Sequence, residues 1–298
     1  MKKFIYTVLI LALAGGSSCF GQQLPQFTQY MFNDFIVNPA IAGTQDFYQI
    51  RTNHRFQWVG LLDPPITNTL AFYGPHTKLD MGYGGYIYND ITGPTSRTGI
   101  SGAYAYNIAI TRDIRLSMGV SLSLLQYRVD GTQLDAKEEG DPVIQPVVSS
   151  TFVPDGGVGV YLYADEFYAG FSVAQLFNNK LTIFDEKTGL NKLKSHFYLT
   201  GGYRYEVDRD WILEPSLILK GTAPREITFD ITAKVEWQKM VWGGVSYRFK
   251  DALALLIGYS YDEQFYFGYA YDIGVSDLRK YNSGTHELMI GYRFNDIK

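Results

Sequence analysis

The chain has 298 residues and a formal net charge of −4; only 19% of it is charged, while 16% is aromatic, with 24 Tyr, 19 Phe and 30 Gly. That balance gives no electrostatic case for a nucleic-acid partner. It is also rich in aromatics and poor in charge for a water-soluble domain.

The first residues, MKKFIYTVLILALAGGSSCFGQQ, combine two lysines, an apolar run from Phe4 to Ala14 and a stretch of small residues. They read as a secretory signal peptide over 1–21, cut after Gly21, because eleven apolar residues are too few to cross a bilayer. The one cysteine, Cys19, would leave with this leader, and with it any thiol catalysis, disulfide or Cys-based metal site. Lipidation at Cys19 is a second possibility, disfavoured by Gly16, which stands where a lipoprotein signal carries a bulky aliphatic residue.

Next comes QYMFNDFIVNPAIAG, apolar and aromatic, bending at Asn38-Pro39. Residues 22–45 form a segment ahead of the first strand, with Tyr30, Phe32, Phe35, Asn38, Pro39, Ala40 and Gly43 as its docking residues. Its chain end is expected on the periplasmic side. So much apolar surface cannot stay solvated without cost, so it should plug a lumen or dock on a periplasmic partner.

From 46 to 298 the pattern alternates at period two. Ile114, Leu116, Met118, Val120, Leu122 and Leu124 oppose Arg115, Ser117, Gly119, Ser121 and Ser123. Ile227, Phe229, Ile231, Ala233, Val235 and Trp237 oppose Thr228, Asp230, Thr232, Lys234 and Glu236, and Leu288, Ile290, Tyr292 and Phe294 oppose Glu287, Met289, Gly291 and Arg293. About fourteen strands are expected, starting near Asp46, Ile66, Met81, Ser96, Ile114, Pro154, Phe167, His196, Trp211, Glu226, Met240, Ala252, Gln264 and Gly284.

Alternation alone permits a soluble sandwich as well as a membrane barrel. Loop lengths choose between them. Short turns (TRD, ADE, DRD, QK, DE) alternate mostly with longer connections, chief among them Arg128 to Val153 and Leu176 to Ser195. Aromatics also crowd the strand ends. The expected fold is therefore all-β, a transmembrane outer-membrane barrel of about 14 antiparallel strands, with apolar faces toward outer-membrane lipid and charged faces toward the lumen. In that phase the lumen carries a charge network of Arg204, Glu206, Glu214, Lys220, Asp230, Lys234, Glu236, Arg248, Glu287 and Arg293.

No chemistry emerges from the remaining polar residues. His54, His76, His196 and His286 lack partners at metal-ligand spacing, and the acidic run Asp135 to Asp141 lacks the ligand pattern of a calcium loop. The glycine-rich strands precede no helical pattern, so they read as small inward positions or bends, not phosphate loops. No enzyme activity, metal or cofactor is expected.

Seven segments in order resemble the PorP/SprF family of outer-membrane proteins of the Bacteroidota type IX secretion and gliding apparatus: QYMFNDFIVNPAIAG, RFQWVGLLDPPIT, YIYNDITGPTSRTGISGAYAY, PDGGVGVYLYADEFYAGFSVAQL, EPSLILKGTAPREITFDITAKV, WGGVSYRFKDALALLIGY and SGTHELMIGYRF. The resemblance implies a barrel without catalytic residues that works with others. Its implied partners are a secreted surface adhesin or cargo with a type IX sorting domain, or the periplasmic ring proteins of the machine. On that basis the two long outer loops are expected to hold the secreted partner. The Asn-Pro-Ala turn also resembles that of FadL-type barrels, which implies an alternative role in uptake of hydrophobic small molecules.

Overall fold

A computed structural model describes residues 24–133, 147–181, 192–222 and 226–296. The expected leader with Cys19, the acidic run at 135–141 and parts of the long connections lie outside the described residues.

The strands are β1 (Tyr48–Phe56), β2 (Ile66–Pro75), β3 (Met81–Thr92), β4 (Thr95–Ala109), β5 (Arg115–Asp130), β6 (Val148–Tyr163), β7 (Phe167–Ala174), β8 (His196–Tyr203), β9 (Tyr205–Glu206), β10 (Trp211–Thr222), β11 (Glu226–Trp237), β12 (Val241–Arg248), β13 (Ala252–Tyr261), β14 (Phe265–Gly274) and β15 (Thr285–Phe294). Each pairs antiparallel with its neighbour in sequence, and β15 returns to β1 in register from Tyr48↔Phe294 to Phe56↔His286. The sheet is closed. β8 and β9 pair with successive stretches of the same strand, β10, interrupted at Arg204, so fifteen strands make fourteen staves.

The side-chain phase follows the alternation. Met118, Val120, Leu122 and Leu124 are exposed, Leu122 at 71%, while Ser117 and Gly119, on either side of Met118, are buried inward. Ile231, Val235, Leu255, Ile257, Leu288 and Ile290 likewise point out of the barrel. A continuous belt of this kind would associate in water; hydrocarbon is the solvent that leaves it stable. Gln49, Arg51, Asn53 and Arg55 of β1 are buried on the opposite face.

Connections after β2, β4, β6, β9, β11 and β13 are short turns, and those after β1, β5, β7 and β14 are longer. By the rule for outer-membrane barrels, the short-turn end faces the periplasm and the other end faces outward. Both β1 and β15 have their segment termini at the periplasmic end.

The largest departure from the sequence expectation is at β5 and β6. β6 begins at Val148, six residues ahead of the Pro154 expected, and pairs with β5 over its whole length. β7 reaches only Val158, so Val148 to Gly157 has a strand partner on one side. Pro154 fits this edge: its carbonyl accepts from Asn179 Nδ2 on the side away from β5, which is where its missing N–H also lies. The β5–β6 hairpin thus rises past its β7 neighbour. Leu125 and Val153 on its inner face bury against Leu181 and Leu193 of the following connection, forming a small core at the outer end.

Candidate functional site

The lumen is occupied by the chain's own N-terminal segment. At the outer end the Leu24 amide donates to His196 Nε2 at the start of β8, 3.3 Å. Toward the periplasmic end Asn107 Nδ2 donates to the Gly43 carbonyl, 3.2 Å, before the chain enters β1. The segment therefore runs the height of the barrel from the outer end downward, and its first described residues are not at the periplasmic mouth where the sequence reading puts the chain end. About twenty residues can span this height, and lying along the wall buries apolar side chains over the whole distance.

Three 3-10 turns shape the segment: Tyr30–Phe32, Asp34–Ile36 and Pro39–Ile41. The Tyr30 hydroxyl lies 3.0 Å from Ser216 Oγ and donates to Thr232 Oγ1 at 3.5 Å. Phe32 packs on Trp242 with ring centres 4.3 Å apart and receives Lys234 Nζ over its other neighbourhood, 4.9 Å from the centroid. Phe35, 1% exposed, stacks on Tyr73 at 4.5 Å and meets the edge of Tyr86.

Asn38 makes the bend. Its Oδ1 accepts from the Ala40 amide, capping the last turn, and its Nδ2 donates to the Val160 carbonyl of β6. Pro39 takes the first helical position, where no N–H is needed. The Ala40 carbonyl accepts from Ser117 Oγ and the Val37 carbonyl from Ser172 Oγ. The wall is cut away to receive this bend: a Cβ at Gly119 would strike Pro39 and Ala40, one at Gly159 would strike Asn38, and one at Gly84 would lie 2.9 Å from Phe35. Gly43 leaves the turn at φ +73°, a conformation suited to glycine, against the backbone of Gly82.

Two charge clusters line the wall. In the outer half, Asp272 and Glu287 face Arg55 at 2.8 and 3.1 Å, Arg248 reaches Asp230 and Asp272 at 3.2 Å each, and Lys220 reaches Asp230 at 2.8 Å. Thr28 sits at their centre. Its hydroxyl donates to Asp272 at 2.8 Å and accepts from Arg55 Nη1 and Arg248 Nη2 at 2.9 and 3.0 Å. Glu287, 0% exposed, accepts the backbone amides of Thr28 and Gln29 at 2.7 and 3.0 Å. A carboxylate held by two successive amides and a guanidinium is strongly satisfied, and moving the segment away would take both amides and leave it only Arg55 and Asn53 of β1.

In the periplasmic half, Lys234 bridges Glu214 at 2.8 Å and Glu236 at 3.6 Å, and Glu236 meets Arg204 at 3.7 Å. Arg293 pairs with Asp296 and Glu263 at the mouth and lies 3.9 Å over the Phe47 ring. This half borders a cavity of about 420 Å³. Glu206 is the exception among the network residues expected from sequence: it lies exposed on the two-residue β9 and enters none of these ion pairs, because the break at Arg204 ends the regular wall there. Thr28, Arg55 and Asp272 were not singled out by the sequence reading. A threonine without pattern and charges whose partners lie several strands away carry no local signal.

The sequence profile described as "Type IX secretion system membrane protein PorP/SprF" matches residues 19–292. No curated protein matches the chain. Among solved structures, the CymD monoaromatic hydrocarbon channel is similar at TM-score 0.53 and 11% identity, covering 94% of this chain and 96% of that one. A Pseudomonas aeruginosa FadL homologue is similar at 0.51 and 12%, covering 93% and 96%. The Pseudomonas putida toluene transporter TodX gives 0.51 and 9%, covering 89% and 93%, or, for a second structure, 0.51 and 8%, covering 87% and 92%. At these identities the likeness is one of fold. With a family profile spanning nearly its whole length and an outer-membrane barrel fold, the chain belongs to the PorP/SprF family of type IX secretion system membrane proteins.

Proposed function

We propose that this barrel serves type IX secretion as a closed, non-catalytic anchor in the outer membrane, holding a secreted adhesin or cargo at the cell surface through its outer connections. The carrying observation is the lumen: residues 24–43 thread it and are bound to the wall on nearly every side, so no polypeptide has a path through it. Work on a partner then falls to the two ends. At the outer end, the β5–β6 pair packs through Leu125 and Val153 on Leu181 and Leu193 of the connection after β7, which gives the outer connections a packed base from which to recognise a partner. At the other, the periplasmic mouth faces the ring proteins of the machine.

Uptake of hydrophobic molecules, as in the named hydrocarbon channels, would need a continuous apolar path. The apolar cavity beside Phe27, Tyr86 and Tyr198 measures about 60 Å³, and the larger one on the periplasmic side is lined by ion pairs. Deleting the gene is expected to leave a partner adhesin secreted into the medium but missing from the cell surface. Affinity isolation of the tagged barrel should then recover that adhesin or the periplasmic ring proteins. Recovery of neither, with surface display intact, contradicts the proposal.

A further inference from the structure

We infer that the outward face of β1 to β4 is an interface within the membrane, where this chain pairs with a second copy of itself about a two-fold axis along the membrane normal. This goes beyond the role proposed above and does not rest on it. A row of polar side chains looks out of the barrel there, toward lipid. Thr52 and His54 on β1, Asn68 on β2, Asn89 on β3 and Thr98 on β4 share the face of Ile50, Leu70, Ile87 and Ile100, which are exposed. His54 is opposed to Asn68, Asn68 to Asn89 and Asn89 to Thr98, so register sets the row side by side across the four strands.

On the first three strands the row lies inside the apolar belt, not at its rim. Ile50 and Phe56 flank it on β1, Leu70 and Ile66 on β2, and Ile87 and Ile91 on β3. At about 3.3 Å per residue and a tilt of about 40°, His54 stands roughly 15 Å above Tyr48 in a belt about 25 Å tall. An imidazole or a carboxamide is too short to reach a headgroup from that depth. The strands β10 to β14 are built otherwise. Their outward positions, from Trp211 and Leu213 through Ile231, Val245 and Leu255 to Phe267 and Tyr269, carry only aliphatic and aromatic side chains, Pro, Ala and Gly. Polar groups facing lipid at this depth are costly, so a whole row on one side of the barrel marks a surface that something other than lipid covers.

The row satisfies itself only in part, and what it lacks selects the partner. His54 Nδ1 donates to Asn68 Oδ1 at 2.7 Å, and its Nε2 accepts from Thr52 Oγ1 at 3.0 Å. Asn89 Nδ2 donates to Thr98 Oγ1 at 2.9 Å. Among the described residues nothing accepts from Asn68 Nδ2 and nothing donates to Asn89 Oδ1, and both side chains are half-buried on the outward face. A hydrocarbon tail can meet neither need. A donor and an acceptor on adjacent strands complement the same pair turned by a two-fold axis: Asn68 of one copy meets the partner's Asn89, and the reverse. Both copies enter the membrane the same way up, so the axis that keeps the two amides at matching depth is the membrane normal. Close approach has room, because Gly85 and Gly102 are opposed on the same face of β3 and β4 and a Cβ at Gly102 would meet nothing within 4 Å.

The test puts the photo-crosslinking residue p-benzoylphenylalanine in place of Ile87 in the full chain and irradiates outer membranes of the cells that make it. A covalent product of twice the chain's mass, with peptides from this chain alone, is expected. The same group in place of Ile231, on β11, should give at least about tenfold less of it, since that face has no polar row to satisfy. Asn68→Leu together with Asn89→Leu should cut the product at Ile87 at least about tenfold while the barrel still folds, because leucine suits a lipid face. Should that pair fail to fold, Gly102→Trp, whose side chain projects into open space, should cut it equally by blocking approach. A product with a different protein at Ile87, a product with lipid only or none, equal dimer yields at Ile87 and Ile231, or a dimer yield unchanged by these substitutions overturns the inference.

Discussion

The outer and periplasmic halves of the lumen carry similar numbers of charges and use them differently. In the outer half, Arg55, Asp272, Glu287, Arg248 and Asp230 are buried and tied through Thr28 to the threaded segment. In the periplasmic half, Lys234, Glu214, Glu236 and Arg204 mostly pair with one another across strands, with side chains partly exposed to a cavity. The first arrangement makes the segment part of the wall. The second stiffens the wall and leaves room inside it. The contrast places the barrel's seal in the outer half and its accessible interior toward the periplasm.

Substitutions can sharpen that contrast. Glu287→Ala removes the acceptor of two backbone amides and one guanidinium, leaving Arg55 short of a buried partner; a loss of about 3–5 kcal/mol is expected in urea unfolding from detergent. Gly159→Val forces a side chain into the space of Asn38 and should cost about 1–3 kcal/mol by the same measurement, with the bend displaced from β6. Tyr30→Phe takes one hydroxyl from its partners Ser216 and Thr232, for about 1 kcal/mol. Glu236→Gln, in the partly exposed cluster, should change stability by less than about 1 kcal/mol, and less still at high salt. A Glu236→Gln effect as large as that of Glu287→Ala would remove the distinction between the two halves.

Much of this was legible in the sequence. Strict alternation separates the outward and lumen faces, as at Met118 to Leu124 against Ser117, and the short turns expected from TRD, ADE, DRD, QK and DE all close strand pairs at one end. The start of β6 was missed because Pro154 reads as a strand beginning when both edges of a strand are assumed paired. Register was the harder loss. A period-two pattern leaves strands free to slide by two residues, and it is register that brings Arg55 to Glu287 and Arg51 to Gly291. The apolar stretch around Phe35 announced that it must be buried, but its direction through the barrel depends on Thr28 and Gln29, whose partners lie about 240–260 residues away.

Closure of the pore by the threaded segment is the step on which the proposed function rests. Its most direct test is ion conductance of the purified mature protein in planar lipid bilayers, compared with a Glu287→Ala, Asp272→Ala double variant whose fold is checked by circular dichroism. No open-channel steps are expected from the unaltered protein, and discrete steps are expected from the variant. Steady, large conductance from the unaltered protein would contradict it.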